Sequence, residues 1–339
     1  MNTRPTEESQ QALFEIAAKI KAAEPWKRLA DTDIITVRFP DRAEPVYFSV
    51  LGQQRECYGI AVYPSYNALL GLLKLATWKD VPFSVLITYQ SSLVCYYGNR
   101  DDLSAEDRKV IRELGLQFRG RNNWIYFRSK QPGYLEWYLN AEECALMTQS
   151  LERFFEAYQA LAGGLSVAFD KFETLIWEYS QEQGKWSGRA EKMPSIPEEI
   201  CKITITGSDR LKKIHSMPPT GQTLECDVRH ALIPIQENKG ERPTLPLMSV
   251  LADSKTGMIL ACKIIEGEKP FSVLFDQISS YIDEIGKPSR LIVRDHRMVG
   301  AVQDICRKTG IRLKVNEHLP AIDKFLEGIA KISEDASQE

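Results

Sequence analysis

Apolar and polar positions follow a regular order of elements in the second half of the chain. Short β-branched and apolar runs come first, and helical and strand periodicities then alternate. The predicted elements are strands at Thr223–Val228, Leu247–Ala252 and Met258–Ile265, a helix at Phe271–Ile285, a strand at Arg290–Asp295, a helix at Met298–Thr309, a strand at Ile311–Val315 and a helix at Ala321–Ile332. This pattern predicts an α/β domain of order βββαβαβα. Turn residues at Asp253–Gly257 predict a hairpin between the second and third strands.

The first half of the chain shows no repeat and mixes both periodicities. An amphipathic helix opens it, and short strands and helices follow with caps at Ser104 and Asn140. The predicted strands are Ile34–Phe39, Val46–Leu51, Tyr58–Tyr63, Phe83–Tyr89, Leu93–Tyr97 and Trp124–Arg128. The pattern at Phe172–Tyr179 with Gly184 predicts a further hairpin, and Met193–Glu199 is typical of a linker.

The length of 339 residues predicts two domains at about 150 residues each. We place an N-terminal α+β domain at residues 1–165, a hairpin and linker at 166–200, and the α/β domain at 201–335, so that the overall class is α+β. A hydrophobic fraction of 43% with 26% charged residues excludes a disordered or collagen-like chain.

Charge and cysteine usage narrow the functional classes. The formal net charge of −3 does not indicate tight nonspecific binding to nucleic acid. The seven cysteines have no CxxC spacing, and the four histidines have no HxxxH or HxH spacing, so we expect neither a disulfide framework nor a histidine zinc site. No apolar run approaches the length of a membrane span, and we expect a cytoplasmic protein without a membrane partner.

The order βββαβαβα resembles the ribonuclease H-like fold shared by ribonuclease H, retroviral integrases and many transposases. The local sequence is similar where Asp227 lies within the first strand, where Asp253–Gly257 forms a D-x-x-T-G turn, and where Gly286–Asp295 leads to an aspartate at the end of the fourth strand. The resemblance covers roughly residues 222–332.

The whole chain also resembles a bacterial two-domain family whose domains are of unknown function. The residues that carry this second resemblance are Pro25-Trp26, Gly59–Tyr63, Asp107 with Leu114-Gly115, Phe118–Gly120 with Trp124 and Phe127-Arg128, Pro132–Tyr134 with Trp137, and Arg242-Pro243 through Thr256-Gly257.

The ribonuclease H-like resemblance implies a site for two divalent cations, bound by carboxylates from different strands. It assigns the hypothetical ligands, and hence the catalytic residues, to Asp227, Asp295 and Glu327, with Asp323 one turn before Glu327. Each residue also has a structural interpretation. Asp227 can face solvent by strand alternation, Asp295 can cap the next helix, and the acidic pair can lie on a solvated helix face.

Two functions from different classes follow. The leading hypothesis is a noncatalytic interaction module without a cofactor, which binds a protein or nucleic acid through the strand ends at Arg294, His296 and Arg297. The alternative is a nuclease or transposase-like enzyme that cleaves phosphodiesters with Mg²⁺ or Mn²⁺. A third hypothesis, a small-molecule binder, rests only on the tryptophans of the first domain. Separately, the segment Phe118–Arg128 interleaves aromatic and cationic residues as a base-stacking surface does, although such a segment is more commonly a strand packed on a core.

Overall fold

A computed structural model describes residues 3–77, 83–193, 202–205, 207–238 and 240–336 of the chain. The chain divides into two compact units. Of the described residues, the first unit comprises 3–77, 89–132 and 136–193, and the second comprises 83–88, 133–135 and those from 202 onward. Within the described part, no helix is both long and apolar enough to cross a membrane.

The elements follow one another in mixed order. They are α1 (Glu7–Ala23), β1 (Ile35–Arg38), β2 (Val46–Leu51), β3 (Tyr58–Tyr63), α2 (Tyr66–Thr77), α3 (Phe83–Tyr89), β4 (Ser92–Gly98), α4 (Ala105–Glu113), β5 (Trp124–Lys130), α5 (Ala141–Ala162), β6 (Glu173–Ser180), β7 (Lys185–Lys192), α6 (Ser208–Ser216), β8 (Thr223–His230), β9 (Leu247–Asp253), β10 (Ile259–Ile264), α7 (Pro270–Glu284), β11 (Arg290–Val293), α8 (His296–Thr309), β12 (Arg312–Val315) and α9 (Pro320–Ala336). The predicted α+β class is confirmed.

The first unit is built on a seven-stranded sheet of order β5-β4-β3-β2-β1-β6-β7. Its strands are antiparallel except for the parallel pair of β1 and β6. Helices α1 and α5 contribute apolar side chains such as Ile20 and Phe154 to the core that covers one face. The predicted cap of α5 is confirmed, because the Asn140 side chain accepts a hydrogen bond from the Glu143 amide at 2.9 Å.

Two predictions for the first half need correction. The hairpin of β6 and β7 lies within the first unit, because Leu175–Glu178 of β6 pair with β1, and it is not part of a connection between domains. The rest of the predicted linker, residues 194–199, lies outside the described residues. The run Phe83–Tyr89 is helical, although its residue types favour a strand. Val85, Ile87 and Tyr89 of this helix are buried.

The second unit contains a five-stranded sheet of order β10-β9-β8-β11-β12. The strands β8, β9 and β10 form an antiparallel meander, and β11 and β12 run parallel to β8. The order βββαβαβα from β8 to α9 is confirmed, and α6 precedes it as a helix that the sequence pattern had not predicted. The central strand of this unit is therefore β8.

The two faces of β8 meet different helices. Leu224, Cys226 and Val228 belong to the apolar cluster that also contains residues of α7 and α8. The second cluster, on the opposite face, is formed by residues of β9 together with Ala321, Ile322 and Leu326 of α9. Because side chains alternate along a strand, the odd-numbered residues of β8 lie under α9.

Candidate functional site

Three charged residues occupy alternate positions on the α9 face of β8. Glu225, Asp227 and Arg229 are each no more than 3% exposed. Charged side chains are rarely buried to this extent unless they are paired, because the loss of hydration is costly. The partners of these three residues therefore decide what the site can do.

Asp227 is paired with two buried guanidinium groups. Its Oδ2 accepts a hydrogen bond from Arg294 Nε at 2.7 Å and lies 3.3 Å from Arg229 Nε. Its Oδ1 accepts a hydrogen bond from the Val228 amide at 2.9 Å. Both carboxylate oxygens of Asp227 are thus occupied by protein donors.

Asp323, in the first turn of α9, binds the same two arginines. Its Oδ1 accepts hydrogen bonds from Arg294 Nη2 at 2.7 Å and from Arg229 Nη2 at 2.5 Å. We call Asp227, Arg229, Arg294 and Asp323 the ion network. Burial alone would lower the pKa of Arg294, but the charges of Asp227 and Asp323 outweigh it and raise the pKa above its usual value. The guanidinium of Arg294 therefore stays charged, and it also donates to the carbonyl oxygen of Glu317.

Glu225 binds the start of α9 directly. Its Oε2 accepts hydrogen bonds from the amides of Ala321 at 2.9 Å and Ile322 at 3.2 Å, and its Oε1 accepts one from Ser254 Oγ at 2.9 Å. The first amides of a helix have no partner within the helix, and the positive end of the helix dipole attracts an anion. Glu225 therefore acts as an N-terminal cap supplied by another element.

The strand register separates Asp227 from Asp295. In the parallel pair of β8 and β11, Ile292 lies beside Glu225 and Val293 beside Cys226. Arg294 directly follows β11 and its side chain binds Asp227, so continued alternation directs the next residue, Asp295, to the opposite face. Asp295 instead caps α8, and its Oδ1 accepts from the Arg297 amide at 2.8 Å.

Glu327 does not face the ion network. It is exposed on α9, one turn beyond Asp323. Among the described residues, no group of three or more His, Cys, Asp or Glu side chains is placed to hold a metal ion. The structure thus does not bring Asp227, Asp295 and Glu327 together, and the residues around Asp227 fit a guanidinium rather than two cations. Metal binding by the three carboxylates stays a prediction.

Arg294 and Arg297, which were predicted to contact a partner, differ in their exposure to solvent. Arg294 is only 2% exposed and is held in the ion network, so the prediction that it contacts a partner needs correction. Arg297 is partly exposed, and its Nη2 lies 3.0 Å from Asp295 Oδ2. The side chain of His296 lies outside the described part of the chain.

The predicted turn role of Asp253 is confirmed, because its Oδ1 accepts hydrogen bonds from the amides of Lys255 at 3.0 Å and Thr256 at 2.7 Å.

Our sequence interpretation missed the roles of Glu225, Arg229 and Arg294. A signal for the first two was present, because charged residues stand at every second position of an otherwise apolar strand, from Glu225 to Arg229. A period of two with charges on one face indicates either solvent or a buried ionic contact. The position of Arg294 depends on the register of two strands that are distant in sequence, which no local pattern reports.

His230, the last residue of β8, provides a pH-sensitive contact in the second unit. Its Nδ1 lies 2.8 Å from the Leu245 carbonyl oxygen, and a Cβ at Gly133 would lie 2.7 Å from its ring. Burial lowers the pKa of His230 below 6.5, although the hydrogen bond to Leu245 opposes the shift.

We expect the second unit to lose stability as the pH falls below 6.5, through the folded-state pKa of His230. A histidine with a lowered folded-state pKa stabilises the fold above its unfolded pKa, and protonation then favours the unfolded chain. Urea unfolding followed by circular dichroism at pH 7.5 and 5.5 measures the effect. The variant His230→Asn keeps a donor for Leu245 and should show a smaller pH dependence, whereas an equal dependence in both proteins would contradict this assignment.

Comparisons with known proteins agree with the division into two parts. Residues 11–176 match the model of a domain of unknown function (DUF7309), and residues 210–330 match that of another domain of unknown function (DUF6930). Both halves of the chain thus match domains of unknown function, as the resemblance to a two-domain family implied. No curated protein matches the chain.

Three solved structures are similar to part of the chain. A chain in the simian T-cell lymphotropic virus intasome, in complex with a PP2A regulatory subunit, is 19% identical, with 35% of this chain and 44% of that chain covered and a TM-score of 0.26. The integrase catalytic core domain of HTLV-2 in complex with magnesium is 16% identical, with 33% and 68% covered and a TM-score of 0.24. The catalytic core domain of BIV integrase is 15% identical, with 32% and 63% covered and a TM-score of 0.23. The matched segment thus spans less than half of the first of these chains.

Proposed function

We propose that this protein is a noncatalytic interaction module of the cytoplasm, whose second unit uses a ribonuclease H-like fold as a scaffold. One observation carries the proposal. The carboxylate of Asp227, which the resemblance would make a metal ligand, is bound by the buried guanidinium groups of Arg229 and Arg294.

The charges around Asp227 oppose a dication. A two-metal site holds its two cations about 3.5–4 Å apart between converging carboxylates, with open positions for substrate and water. Here two positive charges already neutralise Asp227 and Asp323, and the neighbouring aspartate, Asp295, caps a helix. A dication placed beside Asp227 would meet fixed guanidinium groups of the same sign, and this repulsion disfavours binding. The structure is therefore better suited to holding α9 in place than to chemistry.

The cytoplasmic location is part of the proposal and rests on the cysteines. Cys95, Cys144, Cys226 and Cys306 are buried free thiols, and Cys57 and Cys262 are exposed free thiols. Exposed thiols persist in a reducing compartment, whereas an oxidising one favours their conversion to disulfides.

Titration of Mn²⁺ into the purified protein tests the proposal against the nuclease alternative. We expect no saturable heat of binding in the native protein, and no cleavage of DNA, RNA or hybrid duplexes in the presence of Mn²⁺ or Mg²⁺. The double variant Asp227→Asn, Asp295→Asn serves for comparison, and circular dichroism verifies its folding. A conservative control is Glu142→Gln, an exposed residue of α5.

Saturable Mn²⁺ binding by the native protein that the double variant lacks would contradict the proposal and restore Asp227 and Asp295 as ligands. If the double variant does not fold, Asp295→Asn alone is used, because it leaves the ion network intact. Metal-dependent cleavage by the native protein would contradict the proposal directly.

A further inference from the structure

A cavity lies beside the edge strand β10 of the second unit. Its volume is about 480 Å³, and it is a half-open pocket lined mainly by residues of β9, β10 and α7. Leu260, Ala261 and Val273 supply apolar surface, while Asp276 and Glu284 of α7 supply carboxylates. The cavity is thus apolar with an acidic rim.

One side of β10 has no neighbouring strand among the described residues. The sheet begins with β10, which pairs only with β9, and Cys262, Lys263 and Ile264 are exposed. The Ile265 amide donates to the Leu247 carbonyl oxygen at 2.9 Å. Because hydrogen-bonded pairs alternate in an antiparallel ladder, the amides of Cys262 and Ile264 point away from β9. These outward-pointing amides can form hydrogen bonds with a further strand.

The other edge of the sheet, β12, differs in its sequence. It is four residues long and carries Arg312 and Lys314 at alternate positions, and such short, charged strands are common at protected edges. Along β10 the pairing is irregular only between Ile259 and Ala261 and is regular from there to Ile264. An edge that is regular, partly apolar and exposed is the type that adds a strand from another chain.

The register of β10 determines where an added strand would point its side chains. Ala261 pairs with Leu251 and Lys263 pairs with Ser249, whose Oγ donates to Gln277 of α7 at 2.6 Å. These residues therefore face α7 and the cavity. An adjacent strand would likewise direct every second side chain over the cavity and the others over the opposite face, where Ile264 is 49% exposed.

The charge of the rim favours a cationic occupant. Among the described residues, Asp276 and Glu284 form no salt bridge, whereas Lys263 is already paired with Glu268 at 2.5 Å. The unpaired charge around the cavity is thus negative. Lysine or arginine side chains reaching over it would gain charge-assisted contacts while their methylene groups cover apolar surface.

We propose that β10 and the cavity form a docking site for an extended segment of a partner protein with lysine or arginine at alternate positions. This inference rests on the proposed interaction function and specifies its partner. The added segment would form backbone hydrogen bonds with Cys262 and Ile264 and place its cationic side chains beside Asp276 and Glu284.

Fluorescence anisotropy with the full chain tests the site. The probe is a labelled, end-blocked hexapeptide of alternating lysine and valine, and its controls are the glutamate–valine peptide and the same lysine–valine sequence with N-methylated valines. We expect saturable binding of the lysine–valine peptide alone. N-methylation should weaken it roughly tenfold or more through the loss of backbone hydrogen bonds.

Protein variants locate the binding. Asp276→Asn with Glu284→Gln should weaken it roughly tenfold, whereas Glu8→Gln with Glu142→Gln, which changes the net charge equally at exposed residues of the first unit, should not. Cys262→Pro removes an outward amide and should also weaken binding, with Cys262→Ala as its control.

Failure to bind the lysine–valine peptide, or equal binding of the N-methylated peptide, overturns the docking site. Self-association in sedimentation that Cys262→Pro abolishes also overturns it, because the occupant would then be a second copy of the chain. The proposed function would survive either result, since only metal binding or cleavage contradicts it.

Discussion

Replacing Asp227 with alanine is expected to lower the free energy of unfolding of the second unit by about 3–5 kcal/mol. The carboxylate is 2% exposed and lies between Arg229 and Arg294, which are equally buried. Its removal leaves two buried guanidinium groups with Asp323 as their only carboxylate in the ion network. Arg229 already has two buried nitrogens, Nε and Nη1, without a hydrogen-bond partner among the described residues, so the structure has little means to compensate.

Whether Asp227→Ala destabilises or stabilises the protein distinguishes the proposed interaction module from a metal-dependent enzyme. If Asp227 belonged to a cluster of metal ligands, its removal in the presence of EDTA would relieve repulsion between carboxylates and stabilise the protein. The ion network predicts destabilisation under the same conditions, with a melting temperature lower by roughly 10 °C. Glu327→Ala, at an exposed position of α9, should change stability by less than about 0.5 kcal/mol.

The distribution of tryptophan decides how this unfolding is measured. Trp26, Trp124, Trp137, Trp177 and Trp186 lie in the described part of the first unit, and the described part of the second unit contains no tryptophan. Their fluorescence therefore reports the first unit, and circular dichroism or hydrogen exchange is needed for the second. An unchanged tryptophan transition beside a shifted dichroism transition would assign the loss to the second unit, and no shift in dichroism would contradict the ion network.

Replacing Glu225 with alanine is expected to destabilise the second unit by about 2–4 kcal/mol, because two amides of α9 lose a charged acceptor. Both Ala321 and Ile322 are buried, so water cannot readily replace the carboxylate. Glu225→Gln keeps an acceptor oxygen for the two amides, loses the charge, and replaces the oxygen that faces Ser254 Oγ by an NH2 group to which that hydroxyl can become the acceptor. We expect it to cost about 1 kcal/mol. The two variants thus separate the hydrogen bonds from the attraction to the helix dipole.

Amide hydrogen exchange in the first turn of α9 tests this prediction. In Glu225→Ala the amides of the first turn of α9 should exchange at least tenfold faster than in the native protein, while those of α5 in the first unit should be unchanged. Equal protection of α9 in both proteins would show that the apolar contacts of Ile322 and Leu326 hold the helix without the cap.

The order of elements in the second unit was accessible to sequence analysis because each element has a strong local period and clear turn residues. The amphipathic pattern of α7 and α8, and the turn at Asp253–Gly257, depend on neighbours only a few residues apart. The helix α6 was missed because only Leu211 and Ile214 mark its apolar side. The helix α3 was missed because β-branched and aromatic residues make up most of Phe83–Tyr89, and such residues favour a strand.

The candidate site was less accessible, because it depends on one residue of register. Arg294 and Asp295 are neighbours in sequence and lie on opposite faces of the sheet, so local reasoning could name the pair but could not choose between them. The choice between Asp323 and Glu327 raised the same difficulty. They are one turn apart on α9, and only the packed helix shows that Asp323 faces Asp227 and Glu327 faces solvent.

The large sequence separation between members of the ion network affects how the chain folds during its synthesis on the ribosome. Asp227 and Asp323 are separated by nearly a third of the chain, and both bind the same arginines. Until Asp323 has left the exit tunnel, Arg229 and Arg294 share Asp227 as their one carboxylate of the ion network, and the burial of two guanidinium groups against one carboxylate remains unfavourable. The seven-stranded sheet, whose strands all lie before residue 193, is complete well before that point. The nascent chain should therefore carry a folded first unit while the second waits for its last helix.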